Sequence, residues 1–281
     1  MPGLKLPPQQ HLTAGLRQPW LLVGLIALTI VAGLWADRAY GWAGQAAVSV
    51  LVWLELSALC VKLPRRIGER LIACVWISGC GEIIASLVWG LYDYQFGNVP
   101  LFVPPGHALL YLGGLLIAER LPRRFGSYGP YLVVALAGLL ALGLAISGLD
   151  SFSLPLFALF AVFVLYGPEK RLYATMFLVA LAMELYGTAV GNWTWRGHVP
   201  GTIFNTLNPP LAAGAFYCML DWAVNLHSHL RRRPVAAPDT IPAARDPISL
   251  QRVWPLVGNR GMMTALYLRP SPAVHPMPCR P

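Results

Sequence analysis

Apolar residues fall along this chain in eight blocks, at about 20–36, 42–61, 71–91, 105–118, 130–148, 152–166, 173–191 and 209–226. A helix needs roughly 20 apolar residues to cross a bilayer, and most of the blocks approach that length. The fourth and sixth are shorter and call for tilt or a thinner crossing. Short polar turns separate the blocks, and they alternate in charge. Those after the second, fourth and sixth blocks read KLPRRIGER, ERLPRRFG and PEKR, and Arg231-Arg232-Arg233 follows the eighth. The intervening turns hold only Arg38 and Arg196. The pattern predicts an all-α, polytopic membrane protein of about eight transmembrane helices, with the basic turns and both termini cytoplasmic by the positive-inside rule. The first block follows Arg17 as the apolar core of a signal peptide would. Its length and the lack of a small-x-small cleavage site predict a retained span instead.

Composition agrees with that pattern. The chain is 56% hydrophobic and 12% charged, about half the charged share of a soluble domain. Mean hydropathy is +0.56. The net charge of +9 is spent on the basic turns and the tail, so it does not point to nucleic acid. Arg outnumbers Lys and Ala, Gly and Leu abound, which fits a GC-rich bacterial gene and a plasma (inner) membrane location. Residues 1–19 form a cytoplasmic N-terminal segment on this reading. Residues 228–281 are rich in Pro and Arg and lack a spanning run, which predicts a disordered cytoplasmic tail. The five cysteines form no CxxC and have no His at metal spacing. They read as free thiols, with no metal and no cofactor expected.

Eight of the twelve acidic residues fall at block ends, in basic turns or in the tail. Glu55, Glu82, Glu184 and Asp221 lie inside apolar blocks, where a carboxyl group is costly and asks for a function. Glu82 and Glu184 head a pattern that occurs twice. One copy reads Glu82-IIASLVW-Gly90-L-Tyr92-D-Tyr94-QF-Gly97-N-Val99-Pro100. The other reads Glu184-LYGTAV-Gly191-N-Trp193-T-Trp195-R-Gly197-H-Val199-Pro200. The order is kept, with a one-residue adjustment on either side of the first glycine: the first copy has one residue more between glutamate and glycine, and one more between the second aromatic and the second glycine. It predicts a parallel 4+4 repeat, of units 20–118 and 130–227, with Pro104-Pro105 and Pro209-Pro210 opening the fourth and eighth spans.

Helical spacing gathers Ser78, Glu82, Ser86, Trp89 and Asp93 on one face, and Glu184, Thr188, Gly191 and Trp195 on another. At 1.5 Å per residue, Glu82 lies about 15 Å from the outer end of its helix, close to mid-membrane. A buried acid is a proton donor held ready, and Trp and Tyr faces stabilise a cation formed beside it. The candidate catalytic residues are Glu82 and Glu184. Ser86, Trp89, Tyr92, Tyr94, Thr188, Trp193, Trp195, Tyr217 and Asp221 are candidates for substrate binding. The aromatics also fit an outer interfacial belt, and a lone intramembrane Glu can serve as an interhelical hydrogen-bond partner. Glu55 and Asp221 have no matched partner between the halves and read as structural. His107 and His198 read as solvated residues at the outer side, and Asn208 as a helix N-cap.

The first copy resembles the membrane carotenoid-biosynthesis family that includes the bacterioruberin-pathway hydratases. Glu82, the Gly90-L-Tyr92-D-Tyr94 element and Val99-Pro100-Leu101-F-Val103-Pro104 carry the likeness. Only Gln95-Phe96-Gly97-Asn98 separates the tyrosines from Val-Pro, where that family has a longer stretch, and the second copy has Trp for Tyr and no second Val-Pro. The resemblance implies water addition to a polyene end group, or its rearrangement, with Glu82 as the acid. The expected function is acid–base chemistry on an apolar isoprenoid lipid. The alternatives are a small proton-coupled transporter, with Glu82 and Glu184 as paired carriers, and a non-catalytic membrane assembly protein. Membrane lipids are the expected partners.

Overall fold

The computed structural model describes Thr13 and residues 16–231. The tail from residue 232 and most of the N-terminal segment lie outside the described residues. The fold is all-helical apart from two short strands. In chain order it comprises α1 (Pro19–Lys62), α2 (Arg65–Glu82), β1 (Tyr92–Tyr94), α3 (Val103–Arg120), α4 (Arg123–Ile146), α5 (Ser153–Tyr166), α6 (Lys170–Val190), β2 (Trp193–Trp195) and α7 (Ala215–Arg231). Among the described residues, four helical stretches are long and apolar enough to cross a membrane: Pro19–Lys62, Arg65–Trp89, Arg124–Ile146 and Lys170–Val190. The outward faces are apolar, with Trp76, Val88 and Leu139 each about three-quarters exposed. Such faces belong in lipid. This is a multi-pass helical membrane protein.

Helix α1 holds two apolar blocks, and it folds back on itself between them. The turning point is Gly41, whose φ of 58° and ψ of −136° are open to glycine and strained for other residues. Contacts on either side converge on it. Thr29 bonds Glu55, Gly33 meets Val48, and Gly44 sits on the Ala36 carbonyl. Pairs whose numbers close in on residue 41 define an antiparallel helical hairpin.

α2 runs without interruption into a π-helical stretch, Ile83–Trp89, closed by Gly90 at φ 72°. α6 stays α-helical to Val190 and closes on Gly191 at φ 90°. A π turn accommodates one extra residue in a helix. The additional residue between Glu82 and Gly90 is thus absorbed before the strand begins, and both glycines end their helices in the same left-handed cap. The strands that follow pair antiparallel, Tyr92 opposite Trp195, Asp93 opposite Thr194 and Tyr94 opposite Trp193. Both motif loops therefore lie at one end of the bundle.

α3 and α7 occupy the interior. α3 packs on α1, α2 and α6, and α7 on α2, α5 and α6. Leu109, Tyr111, Leu112 and Leu116 of α3 are fully buried. α3 opens on Val103-Pro104-Pro105 as expected, since Pro in the first turn sacrifices no helical N–H. The eighth helix does not open on Pro209-Pro210. It begins at Ala215, after tight turns in which Ala213 donates to the Pro210 carbonyl at 3.2 Å and Ala215 to that of Ala212 at 3.0 Å, and the N–H groups of Leu211 and Ala212 are held by Asp150 Oδ2 at 3.0 Å and Ser153 Oγ at 3.2 Å. Asn208 is consequently no cap of α7; its Oδ1 accepts the Trp195 N–H at 2.9 Å.

Candidate functional site

Alternation along β1 turns Tyr92 and Tyr94 to one side, and both hydroxyls donate to Oε2 of Glu82 at 2.7 Å. β2 does the same with indoles. Trp193 and Trp195 donate their Nε1–H groups to Oε2 of Glu184, at 2.8 and 3.0 Å. Each glutamate is thus held by two aromatic donors from its own strand. Burial, and after it the Glu82 carboxylate, hold the Tyr92 and Tyr94 hydroxyls well above their ordinary value. Both therefore remain O–H donors.

The two sites differ in what else they touch. Oε1 of Glu82 lies 2.8 Å from Nε2 of His107, and Nδ1 of His107 lies 2.6 Å from the Tyr217 hydroxyl. With a neutral imidazole, Nε2–H donates to Glu82 and the Tyr217 O–H donates to Nδ1. The result is a continuous chain from Tyr217 through His107 to Glu82. Oε1 of Glu184 has no hydrogen-bond partner among the described residues.

Glu82, His107, Tyr217 and Glu184 open on one cavity of about 80 Å³, room for the centres of several waters. Its walls are otherwise mostly apolar or aromatic. Gly33, Leu34, Val48 and Val52 come from the α1 hairpin, Phe102, Val103 and Leu109 from α3 and its approach, and Met183 from α6. Among the described residues, no group of three or more His, Cys, Asp or Glu is placed to hold a metal ion.

The structure brings together Glu82, Tyr92, Tyr94, Glu184, Trp193 and Tyr217 around that cavity, with Trp195 supporting Glu184 from behind. It places the others elsewhere. Ser86 is buried within the π-helical stretch, away from the cavity wall. Trp89 is 41% exposed and donates to the Pro200 carbonyl at 3.0 Å. The Thr188 hydroxyl turns back on the Glu184 carbonyl at 2.7 Å. Asp221 lies one turn beyond Tyr217 on α7, bonded by Tyr111 at 2.7 Å and Asn225 at 3.0 Å.

His107 lines the cavity and bonds Glu82 but is not among the candidates that the sequence pattern singles out. Placed just after Pro104-Pro105, it read as an exposed helix start. The available signal was the four-residue spacing of His107 and Tyr111, which matches that of Tyr217 and Asp221. Beside the strand pair, Arg196 grips Asp93 with two hydrogen bonds of 3.1 and 3.0 Å, tying one strand to the other. The fully buried Asp37 accepts from Asn192 at 2.7 Å.

No family model matches the chain, and no solved structure matches it. Two curated proteins share 31% identity with it over 104 residues. Both are NADH-quinone oxidoreductase subunits of the H type, second form, and come from two strains of Cereibacter sphaeroides. The match spans 36% of this chain and 30% of each relative, so the chain covers about a third of the length of the curated relatives it matches.

Proposed function

We propose that the chain is an inner-membrane enzyme that handles protons on an apolar, isoprenoid-like lipid, with Glu82, His107 and Tyr217 as the proton-bearing groups. One observation carries the reading: the Glu82 carboxyl group is hydrogen-bonded to titratable partners at both oxygens and faces an apolar, aromatic cavity. A purely structural glutamate needs a partner, but it needs neither a cavity nor a relay behind that partner. With one proton added to the Glu82–His107 pair, that proton passes to an alkene carbon as the π electrons form the new C–H bond, leaving a carboxylate and a neutral imidazole. Tyr92, Tyr94 and Trp193 present aromatic faces and edges around the cationic carbon. Water then adds through a lone pair and returns a proton to the base, which is hydration, or a neighbouring C–H loses its proton, which is rearrangement. A carotenoid-type polyene end group is the substrate that the resemblance of the first motif implies.

The same reading places eight spans in two parallel halves, with both termini cytoplasmic. Its support is the hairpin at Gly41, the matched glycine caps and the strand register. Exchanging the halves maps the Tyr92–Trp195 pair onto the Trp193–Tyr94 pair, as a two-fold axis along the membrane normal requires. α3 on α6 maps likewise onto α7 on α2.

A proton-coupled transporter is the second reading, favoured by one fact: both glutamates line the same cavity. Lipid and pigment profiles of a deletion strain complemented with Glu82→Gln or Glu184→Gln separate the two. The enzyme reading expects an accumulated precursor with Glu82→Gln and a milder defect with Glu184→Gln. A transporter expects equal loss of proton coupling from both. Normal function with Glu82→Gln leaves a structural role alone.

A further inference from the structure

We propose that the cavity shared by Glu82 and Glu184 binds a lipophilic ammonium, whose N–H group bonds Oε1 of Glu184 while its alkyl chain lies along the apolar wall. The proposal rests on the acid–base reading above and deepens it, because a protonated amine carries its charge where the protonated alkene would.

The cavity can accept hydrogen bonds but has no free side-chain donor to offer. The Tyr92 and Tyr94 hydroxyls are spent on Glu82, and the Trp193 indole on Glu184. With the imidazole neutral, Nε2–H of His107 is spent on Glu82 and the Tyr217 hydroxyl on Nδ1. Thr29, on the α1 wall, bonds Glu55. The first turn of α3 also reaches the cavity, through Val103 and Gly106. A helix N-terminus ordinarily draws anions with its open N–H groups. Here Val103 donates to the Pro100 carbonyl at 3.0 Å and Gly106 to the Phe102 carbonyl at 2.8 Å, while Pro104 and Pro105 have no N–H. A carboxylate, phosphate or ketone entering the cavity would leave its hydrogen bonds to water unreplaced.

The free polar group has the opposite character. Glu184 takes both indoles on Oε2, which leaves Oε1 without a partner on a residue that lines the cavity. No Lys or Arg lines it, and the His107 imidazole is already paired with Glu82. A carboxylate taken out of water without a countercharge is costly, and an ammonium N–H on Oε1 offsets that cost with a charge-assisted bond. A cation so placed stands beside the Trp193 ring, which bonds the same carboxyl group, and the Tyr94 ring lies 6.1 Å from that of Trp193. Aromatic rings attract ammonium ions. The remaining wall, from the α1 hairpin, α3 and Met183, is mostly apolar and suits an alkyl chain.

The experiment titrates the full-length protein in lipid nanodiscs by calorimetry at neutral pH, with N,N-dimethyloctylamine, octanol and octanoate as probes. Chain length is matched, and titration of empty nanodiscs subtracts partition into lipid. The amine should bind saturably and about tenfold or more tighter than octanol, and octanoate should show no saturable binding. Glu184→Gln should weaken the amine about tenfold or more and leave octanol as it was. Gly106→Leu should abolish amine binding. A Cβ there meets nothing within 4 Å, so the side chain grows into the cavity without displacing the fold. Gly143→Leu, an equally open position on the exposed side of α4, should bind the amine as the wild type does. Octanol or octanoate binding as tightly as the amine would overturn the proposal. So would amine binding unchanged by Glu184→Gln or Gly106→Leu, or no saturable amine binding at all. These titrations involve no turnover. Saturable amine binding beside a normal lipid profile in the deletion strain would keep the site and remove the lipid enzyme, and an accumulated precursor without amine binding would do the reverse.

Discussion

A tyrosine hydroxyl can donate, accept and relay, whereas an indole N–H only donates. That single difference separates the two glutamates, which are otherwise held alike. Glu82 sits in a network that can exchange protons, and Glu184 sits against two fixed donors. Glu82→Gln keeps the size and hydrogen bonding of the neutral acid, so membrane abundance should survive while function is lost; an unstable variant would point to a structural carboxylate. Tyr92 and Tyr94 add a pH prediction. Their folded-state values lie above the ordinary 10.0, so the stability linked to them is complete below about pH 10 and is lost as pH rises through the folded range. Melting temperatures across the alkaline range should therefore fall less steeply in the Tyr92→Phe/Tyr94→Phe variant than in the wild type. Each substitution also removes one hydrogen bond to a buried carboxyl, about 1–3 kcal/mol. The glutamates and their aromatics were legible in the sequence because their order repeats. His107 was not, because its partner lies 25 residues upstream on another helix and no local pattern announces a contact between helices.

Among the elements, the π-helical stretch after α2 decides whether two unequal spacings can place two carboxylates alike. The extra residue was visible in the sequence, but its accommodation was not, since an added residue in an α-helix rotates everything beyond it by about 100°. Widening the turns over Ile83–Trp89 keeps Tyr92 and Tyr94 on Glu82. Deleting Ile84 should let the stretch revert to α-helix with the spacing of the second half, and the protein should remain folded with only a modest drop in melting temperature. Deleting Leu185 from α6 has no such reserve and should abolish the Trp193 and Trp195 contacts and the fold with them. Equal damage from both deletions would sink this account. Gly187 is a further control point, because a Cβ there runs into the Trp193 ring. Gly187→Ala should displace that indole and shift its fluorescence, while Gly197→Ala, which meets nothing within 4 Å, should leave it unchanged.

At the scale of the whole molecule, the eight apolar blocks each fall on a helical segment, and the charge of the turns between them predicts an orientation for the bundle. The boundary at residue 209 differs from the sequence expectation because the chain reaches α7 through tight turns, anchored to the distant Asp150 and Ser153. The pairing of β1 with β2 fixes the two motif loops at one end, so their relative placement is independent of any charge rule. The charge rule only says which compartment that end faces: the turns rich in Arg lie at the other end, and translocating them is the more costly choice. Reporter fusions at Gly97 and Gly197 should consequently give the same answer, periplasmic, and a fusion at Arg124 the opposite one. Two periplasmic signals with a cytoplasmic Arg124 support eight spans in two parallel halves. Motif loops that report together but from the cytoplasm would invert the bundle while leaving the repeat intact. Motif loops that report from different compartments would contradict the strand pairing itself, and with it the single cavity that both glutamates share.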